Sequence, residues 1–132
     1  MAISSKALYQ NIARNIGSGA GSDRLAASFC PAINYALSQM SLHKDAASRI
    51  ALITDAEGTI AVDAEYEYIV YTGAMFWLIR SGHGPKDPRV AGVVYEDTRR
   101  LWFEALNDYI IAEDNEDQSD STFDIGPLGD VD

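Results

Sequence analysis

The sequence has few of the features that mark secreted, disulfide-linked or membrane-spanning proteins. Its one cysteine, Cys30, cannot form an internal disulfide, so a reducing compartment fits best. Residues 1–17 lack the uninterrupted apolar stretch of a signal peptide, and nowhere do about eighteen apolar residues follow one another, as a membrane helix requires. The sequence also contains no Asn-X-Ser/Thr glycosylation sequon. We therefore expect a soluble chain with no disulfide framework and no membrane partner.

Residues with metal-binding or nucleophilic chemistry are also scarce. His43 and His83 stand in or beside predicted loops, with no carboxylate or cysteine at a metal-ligand spacing, and we expect both on the surface. Cys30 precedes a proline in an apolar context, which predicts a buried, inert thiol. The glycine-rich run 17–22 is followed by an Asp-Arg pair, where a phosphate-binding loop needs Lys-Ser/Thr. We interpret that run as a linker.

A patch of acidic residues near the middle of the chain has two interpretations. Paired carboxylates can serve as general acid and base, but helix capping and turn formation account for the same residues. No nucleophile elbow, zinc signature or dinucleotide fingerprint accompanies them. We therefore predict no catalytic residues, no metal site and no cofactor, and expect that the protein is not an enzyme. The patch consists of Asp55, Glu57, Asp63, Glu65 and Glu67.

The net charge of −10 is concentrated at one end of the chain. Residues 113–132 contain eight acidic residues and no basic one, whereas the other residues carry 12 acids against 10 bases. Such an anionic segment repels phosphate backbones and anionic lipids, so we expect no specific nucleic-acid binding. The change in composition divides the chain into a folded domain, residues 1–112, and an acidic extended tail, residues 113–132.

Four apolar residues stand out in this tail. The rest of the segment is too polar to bury enough surface to offset its ordering entropy. A short extended segment with spaced apolar anchors is the usual form of a docking peptide, and the alternative is an ordinary unattached terminus. We predict that these residues contact a partner: Phe123, Ile125, Leu128 and Val131.

The periodicity of the folded domain predicts a mainly α fold, a small bundle of about four helices with a short β-hairpin. Ser4 or Ser5 caps the first helix, Pro31 divides the second helical region, and an Asp-Pro pair opens the last helix. Branched residues on both sides of a turn containing glycine indicate the hairpin, with strands 49–54 and 59–62. The predicted helices cover residues 5–16, 22–42, 63–80 and 87–112.

The third predicted helix is apolar nearly all round between Tyr66 and Ile79. A surface helix needs only one apolar stripe, so this helix is either the central one or packs one face against another subunit. On the second alternative we expect partner contacts from Tyr68, Tyr71 and Met75.

One stretch of the sequence resembles a known family. The run Phe29-Cys30-Pro31-Ala32-Ile33-Asn34-Tyr35-Ala36-Leu37 is similar to a helix of the head-to-tail adaptor (connector) proteins of tailed bacteriophages, which has an aromatic residue, an apolar-Asn pair and then Ala-Leu. The elements that follow are similar in order. They are a hairpin ending Ile60-Ala61-Val62-Asp63, an aromatic-rich helix that begins Glu65-Tyr66-Glu67-Tyr68 and contains Gly73, a long last helix and a C-terminal tail.

The resemblance implies a structural virion protein with no catalytic residues. Adaptors of this family form rings, commonly twelve-membered, between the portal and the next tail or nozzle protein. It therefore implies self-association, portal binding, and a location at the neck of the virion, or in the host cytoplasm during assembly. DNA passes through such rings, and an acidic surface keeps the genome from adhering to the wall. The alternative function is another small helical protein–protein interaction or assembly-chaperone module.

Overall fold

The computed structural model describes residues 2–16, 23–42 and 44–122, with side chains described as far as Glu113. Within these residues the fold is mainly α, with four helices and a two-stranded antiparallel sheet, which confirms the predicted fold class. Short 3-10 turns at Ala46–Ser48 and Ala64–Tyr66 join the main elements. In chain order these are β1 (Ala2–Ser4), α1 (Ser5–Ile16), α2 (Asp23–Ser41), β2 (Thr59–Asp63), α3 (Glu67–Arg80) and α4 (Pro88–Thr122).

Helix α1 begins and ends at the predicted residues. Ser4 caps it, because its side-chain Oγ accepts a hydrogen bond from the backbone N–H of Ala7 at 3.3 Å. Leu8, Ile12 and Ile16 are buried on one face, as their spacing of four predicts. The predicted linker, residues 17–22, lies outside the described residues.

Helix α2 runs through Pro31 without a break, so the predicted division of this region was wrong. Pro31 is exposed, as is Ala27, the residue whose carbonyl loses its helical hydrogen bond to the proline. Water can hydrate that carbonyl, and the opposite face of the helix is fully apolar and buried. The apolar residues buried along it are Leu25, Phe29, Ala32, Ile33, Ala36, Leu37 and Met40.

The sheet pairs different strands from those of the predicted hairpin. Strand β2 covers the predicted residues 59–62, but its antiparallel partner is β1, with Ile3 opposite Ile60. The predicted first strand, residues 49–54, has no regular secondary structure. Its backbone groups instead hydrogen-bond to side chains of α2. The N–H of Ile50 donates to Ser41 Oγ at 3.0 Å, and the N–H and carbonyl of Ile53 both bond to the Asn34 side chain.

Helix α3 is the central helix of the fold and packs between α2 and α4. Val70, Ala74 and Leu78 are buried, and Gly73 lies between Ala36 of α2 and Trp102 of α4. A Cβ added at Gly73 would stand 2.7 Å from the Ala36 side chain and 2.8 Å from that of Trp102. The first of the two predicted alternatives is therefore right: the chain itself covers most of this apolar helix.

Helix α4 opens at the predicted Asp-Pro pair. The Asp87 carboxylate accepts a hydrogen bond from the backbone N–H of Arg89 at 2.9 Å, and Pro88 occupies the first helical position. The helix continues to Thr122, so its predicted end near Ala112 was too early. A formed helix adds one hydrogen bond for each further residue, and neither glycine nor proline follows until 126–127.

The first residue of the predicted tail contacts the folded body. The Glu113 carboxylate pairs with Lys44 Nζ at 3.0 Å, and the same ammonium lies 5.5 Å from the centroid of the Tyr109 ring. Burial alone lowers the pKa of Lys44, but its bonds to Tyr109 and Glu113 outweigh this and raise it. This contact joins the segment that follows α2 to α4.

Candidate interaction surface

Helix α4 exposes large apolar side chains on both sides of its buried stripe. Trp102 is fully buried, and its indole Nε1 donates a hydrogen bond to the Tyr35 hydroxyl at 3.3 Å. Its two neighbours in sequence, Leu101 and Phe103, are 38% and 45% exposed. Successive helical residues are about 100° apart, so Leu101 and Phe103 flank Trp102 on opposite sides of the helix.

On the Leu101 side, α3, the 3-10 turn before it and α4 line a groove of about 290 Å³, which we name the acidic groove. Its apolar part comes from Tyr68, which is 54% exposed, together with Ile69, Leu101 and Ala105. Three carboxylates also line it, and the Glu104 carboxylate lies 3.7 Å from Arg100 Nη1. These acidic residues are Glu65, Glu104 and Asp108.

The Phe103 side of α4 carries positive charge. We name it the basic-aromatic face, and it consists of two aromatic residues, Phe103 and Phe76, and two arginines, Arg99 and Arg80. The guanidinium of Arg99 lies 5.3 Å from the centroid of the Phe103 ring, and the Phe76 ring lies 5.8 Å from the same ring. Arg80 lies over the Phe76 ring at 5.2 Å and over the Tyr35 ring at 5.3 Å. Stacked guanidinium groups of this kind present positive charge beside apolar surface.

The three predicted contact residues of α3 differ in exposure. Tyr68 lies on the acidic groove, whereas Tyr71 and Met75 are half-buried. The Tyr71 hydroxyl accepts a hydrogen bond from Asn15 Nδ2 at 2.9 Å, which joins α3 to α1. The four predicted anchors of the tail, Phe123, Ile125, Leu128 and Val131, lie outside the described residues.

Sequence reasoning missed both α4 residues of this surface. The 3.6-residue spacing of Val90, Val94, Leu101, Ala105 and Tyr109 predicts one apolar face of the last helix, with Trp102 adjacent to that face. In the structure the buried stripe centres on Trp102, Ala105 and Tyr109, which leaves Leu101 at its edge. Phe103 lay outside the predicted stripe, and an apolar residue off the stripe was the available signal for a contact surface.

A smaller apolar patch lies at the far end of α2. Leu42 and Leu52 are exposed there and line a shallow groove of about 260 Å³ together with Ile50 and Arg49. The segment that carries Leu52 is the one predicted as a strand. The Leu52 side chain is therefore exposed beside α2 and is not part of a sheet.

His83 is buried, so the prediction of a surface residue was wrong. The loop after α3 folds back, with the His83 N–H donating to the Leu78 carbonyl at 2.9 Å, and the ring Nε2 lies 3.2 Å from Ser28 Oγ. Burial lowers the pKa of His83, and the positive charges of Arg24 and Lys86 lower it further. His43 lies outside the described residues.

Cys30 is half-buried and is a free thiol. Burial raises the pKa of this thiol, and the nearby charge of Asp55 raises it further. A raised pKa keeps the sulfur protonated at neutral pH, which disfavours nucleophilic attack. In the acidic patch, Asp55 accepts a hydrogen bond from the backbone N–H of Glu57 at 2.9 Å, as expected for a turn residue.

Metal-binding and membrane-spanning features are not found within residues 2–16, 23–42 and 44–122. No group of three or more His, Cys, Asp or Glu residues in this part of the chain could hold a metal ion. None of its helices is both long enough and apolar enough to cross a bilayer. Comparisons with models of known protein families, with curated proteins and with solved structures find no match to this chain.

Proposed function

We propose that this chain is a head-to-tail adaptor of a tailed bacteriophage. In this role it forms a ring between the portal and the next tail component, as the resemblance of residues 29–37, and of an aromatic-rich third helix followed by a long last helix, implies. The proposal makes the protein a structural part of the virion neck, with no reaction to catalyse. Its partners are other copies of itself, the portal, and a tail or nozzle protein.

The observation that carries this proposal is the uncovered apolar surface of α4. Scattered exposed apolar residues are ordinary on soluble proteins, but apolar residues grouped with complementary charges mark protein contacts. Here Leu101 and Tyr68 form one group, and Phe103 with its two arginines forms another. A ring subunit needs two such surfaces, one for each neighbour.

The charge of the chain supports the same role. A net charge of −10 disfavours adhesion of DNA to a wall made of many copies, since both are anionic. The tail adds acidic residues together with four apolar anchors. If each copy docks its tail with modest affinity, a ring of copies binds much more tightly, because later contacts form at high effective concentration.

Co-sedimentation of the full chain with portal rings of the same phage tests this proposal. We expect the intact chain to pellet with the rings and to saturate at a fixed ratio of chain to portal subunit. A chain that stays in the supernatant with its tail intact contradicts the adaptor role and leaves the interaction or assembly-chaperone module as the better interpretation.

Two tail variants separate anchoring from charge. Replacing Phe123, Ile125, Leu128 and Val131 with serine removes the apolar anchors and keeps every acidic residue, and we expect portal binding to weaken strongly. The matched control, Asp124→Asn with Asp130→Asn, keeps the anchors and removes two charges, and should bind as the unchanged chain does. Equal loss of binding in both variants would show that the charges contribute as much as the anchors, and loss in the Asp variant alone would assign the contact to charge.

A further inference from the structure

We propose that neighbouring copies of this chain join head to tail, with the basic-aromatic face of one copy seated in the acidic groove of the next. The inference rests on the proposed function, because it names the two surfaces through which the proposed ring closes. The occupant of the acidic groove is thus a second copy of the chain, and its central contact is the Phe103 side chain.

The geometry of α4 places the two surfaces on opposite sides of one copy. Leu101 and Phe103 are two positions apart in a helix, which places their side chains about 200° apart around its axis. The acidic groove and the basic-aromatic face therefore look away from each other on one copy. When two different surfaces meet in this way, each added copy leaves one of each open, so association continues beyond a dimer and ends in a ring when the rotation between copies closes.

Charge selects this pairing over the pairing of like surfaces. The acidic groove contains three carboxylates. Arg100 partly neutralises that of Glu104, and those of Glu65 and Asp108 add further negative charge. The basic-aromatic face carries the guanidinium groups of Arg80 and Arg99, each stacked on an aromatic ring. Two grooves placed against each other would oppose carboxylates, and two basic-aromatic faces would oppose arginines, whereas groove against face is attractive.

The apolar parts also complement each other. The basic-aromatic face projects one large, partly exposed ring, that of Phe103. The acidic groove offers the apolar surface of Tyr68 and Leu101, together with the half-buried Ile69. Aromatic and arginine side chains seated in a pocket are the usual anchors of protein interfaces. Burying Phe103 there would cover the exposed apolar groups on both sides of α4 in one contact.

Sedimentation equilibrium of the purified chain, carried up to about 1 mM, tests the inference. We expect the average mass to rise with concentration beyond that of a dimer and to fall when salt is added, because salt screens the opposed charges. A monomer over the whole concentration range overturns the inference, as does association that stops at a dimer, the product of a two-fold contact.

Two blocked variants give a sharper test. The groove-blocked chain carries Tyr68→Ala and Asp108→Lys, and the face-blocked chain carries Arg99→Glu and Phe103→Ala. Each should be monomeric alone, since each keeps only one working surface. An equal mixture should form dimers and stop there, because the two intact surfaces meet once and the surfaces left over lack the Tyr68 and Phe103 side chains that the contact needs.

A control variant and a charge swap complete the design. Val93 is 61% exposed on α4 and belongs to neither surface, so Val93→Ala removes apolar area without affecting association.

Asp108→Lys and Arg99→Glu placed in one chain should restore assembly, because the opposed charges are exchanged and not lost. Assemblies larger than a dimer in the mixture, or unchanged self-association of the face-blocked chain, would overturn the inference.

The portal experiment keeps this inference separable from the adaptor role. If the unchanged chain assembles through these surfaces but never pellets with portal rings, the head-to-tail contact stands and the adaptor role fails. If it binds portal rings while the mixture of blocked variants behaves like the unchanged chain, the adaptor role stands and these surfaces are not the ring contact. Circular dichroism of each blocked variant confirms that its helices are intact.

Discussion

The side-chain amide of Asn34 hydrogen-bonds both backbone groups of Ile53. Its Nδ2 donates to the Ile53 carbonyl at 2.9 Å, and its Oδ1 accepts from the Ile53 N–H at 2.8 Å. The Asn34 side chain thus takes the place of a neighbouring strand as the hydrogen-bond partner of the Ile53 backbone. The segment around Ile53 is therefore held against the helix as irregular structure, although its branched residues favour a strand.

Asn34→Ala should destabilise the protein by about 2 kcal/mol, because both Ile53 backbone groups lose their partner in a half-buried position. The matched control is Ser38→Ala, an exposed site one turn further along the same helix, which should change stability by less than about 0.5 kcal/mol. Urea unfolding measures both, and hydrogen exchange at the Ile53 amide should accelerate in the Asn34 variant alone. Equal stability of the two variants would mean that the segment is held by other contacts.

Local signals predicted the elements that depend on neighbours in sequence. The cap of α1 at Ser4, its apolar spacing and the Asp-Pro start of α4 are each decided within one or two helical turns. Partners distant in sequence were not predictable in this way. Strand β2 was recognised, but β1 is only three residues long, and its antiparallel pairing to β2 brings together residues more than fifty positions apart.

The interaction surface was predictable only in part, for a similar reason. Tyr68 was identified because α3 has more apolar faces than a surface helix needs. Leu101 and Phe103 were missed because their exposure depends on where the buried stripe of α4 centres, and the packing of Trp102 against Tyr35 and Gly73 decides that. The spacing of apolar residues predicts which side of a helix is buried, but it does not predict the rotation of the helix about its axis to within part of a turn.

Gly73→Ala should destabilise the protein by about 2 kcal/mol, since the added methyl group would overlap Ala36 and Trp102 at the crossing of three helices. Gly92→Ala is the matched control on α4, where an added Cβ meets no atom within 4 Å. It should instead stabilise the protein by about 0.5–1 kcal/mol, because alanine is the better helix former. Thermal unfolding of the two variants checks the difference in sign, and a neutral Gly73→Ala would show that the helices can move apart freely.

Ser4 and Ser5 are adjacent, and their replacement by alanine should have opposite effects. Ser4→Ala removes the hydroxyl that caps α1 and should cost about 1 kcal/mol. Ser5 is fully buried, and its hydroxyl finds no hydrogen-bond partner within the described part of the chain, so Ser5→Ala should be neutral or stabilising. Denaturant unfolding of both variants tests this, and a marked loss of stability in Ser5→Ala would reveal a partner for that hydroxyl.

Stability should fall as the pH is lowered from 7.5 to 5.5, and His83 should account for part of the fall. Burial and two nearby cations lower the pKa of His83 in the folded state, so over this range the unfolded chain binds more protons than the folded one. The contribution is complete above the unfolded pKa of about 6.5 and is lost as the pH falls from there towards the lower folded pKa.

The free energy of unfolding, measured with urea at both pH values, tests this assignment. His83→Gln should lessen the pH dependence, because glutamine cannot take up the proton yet can still hydrogen-bond to Ser28, which lies 3.2 Å from the histidine ring. His43→Gln is the matched control and should keep the dependence of the unchanged chain. If both variants lose stability with acid as the unchanged chain does, His83 is charged in the folded state as readily as in the unfolded one, and its burial carries no cost.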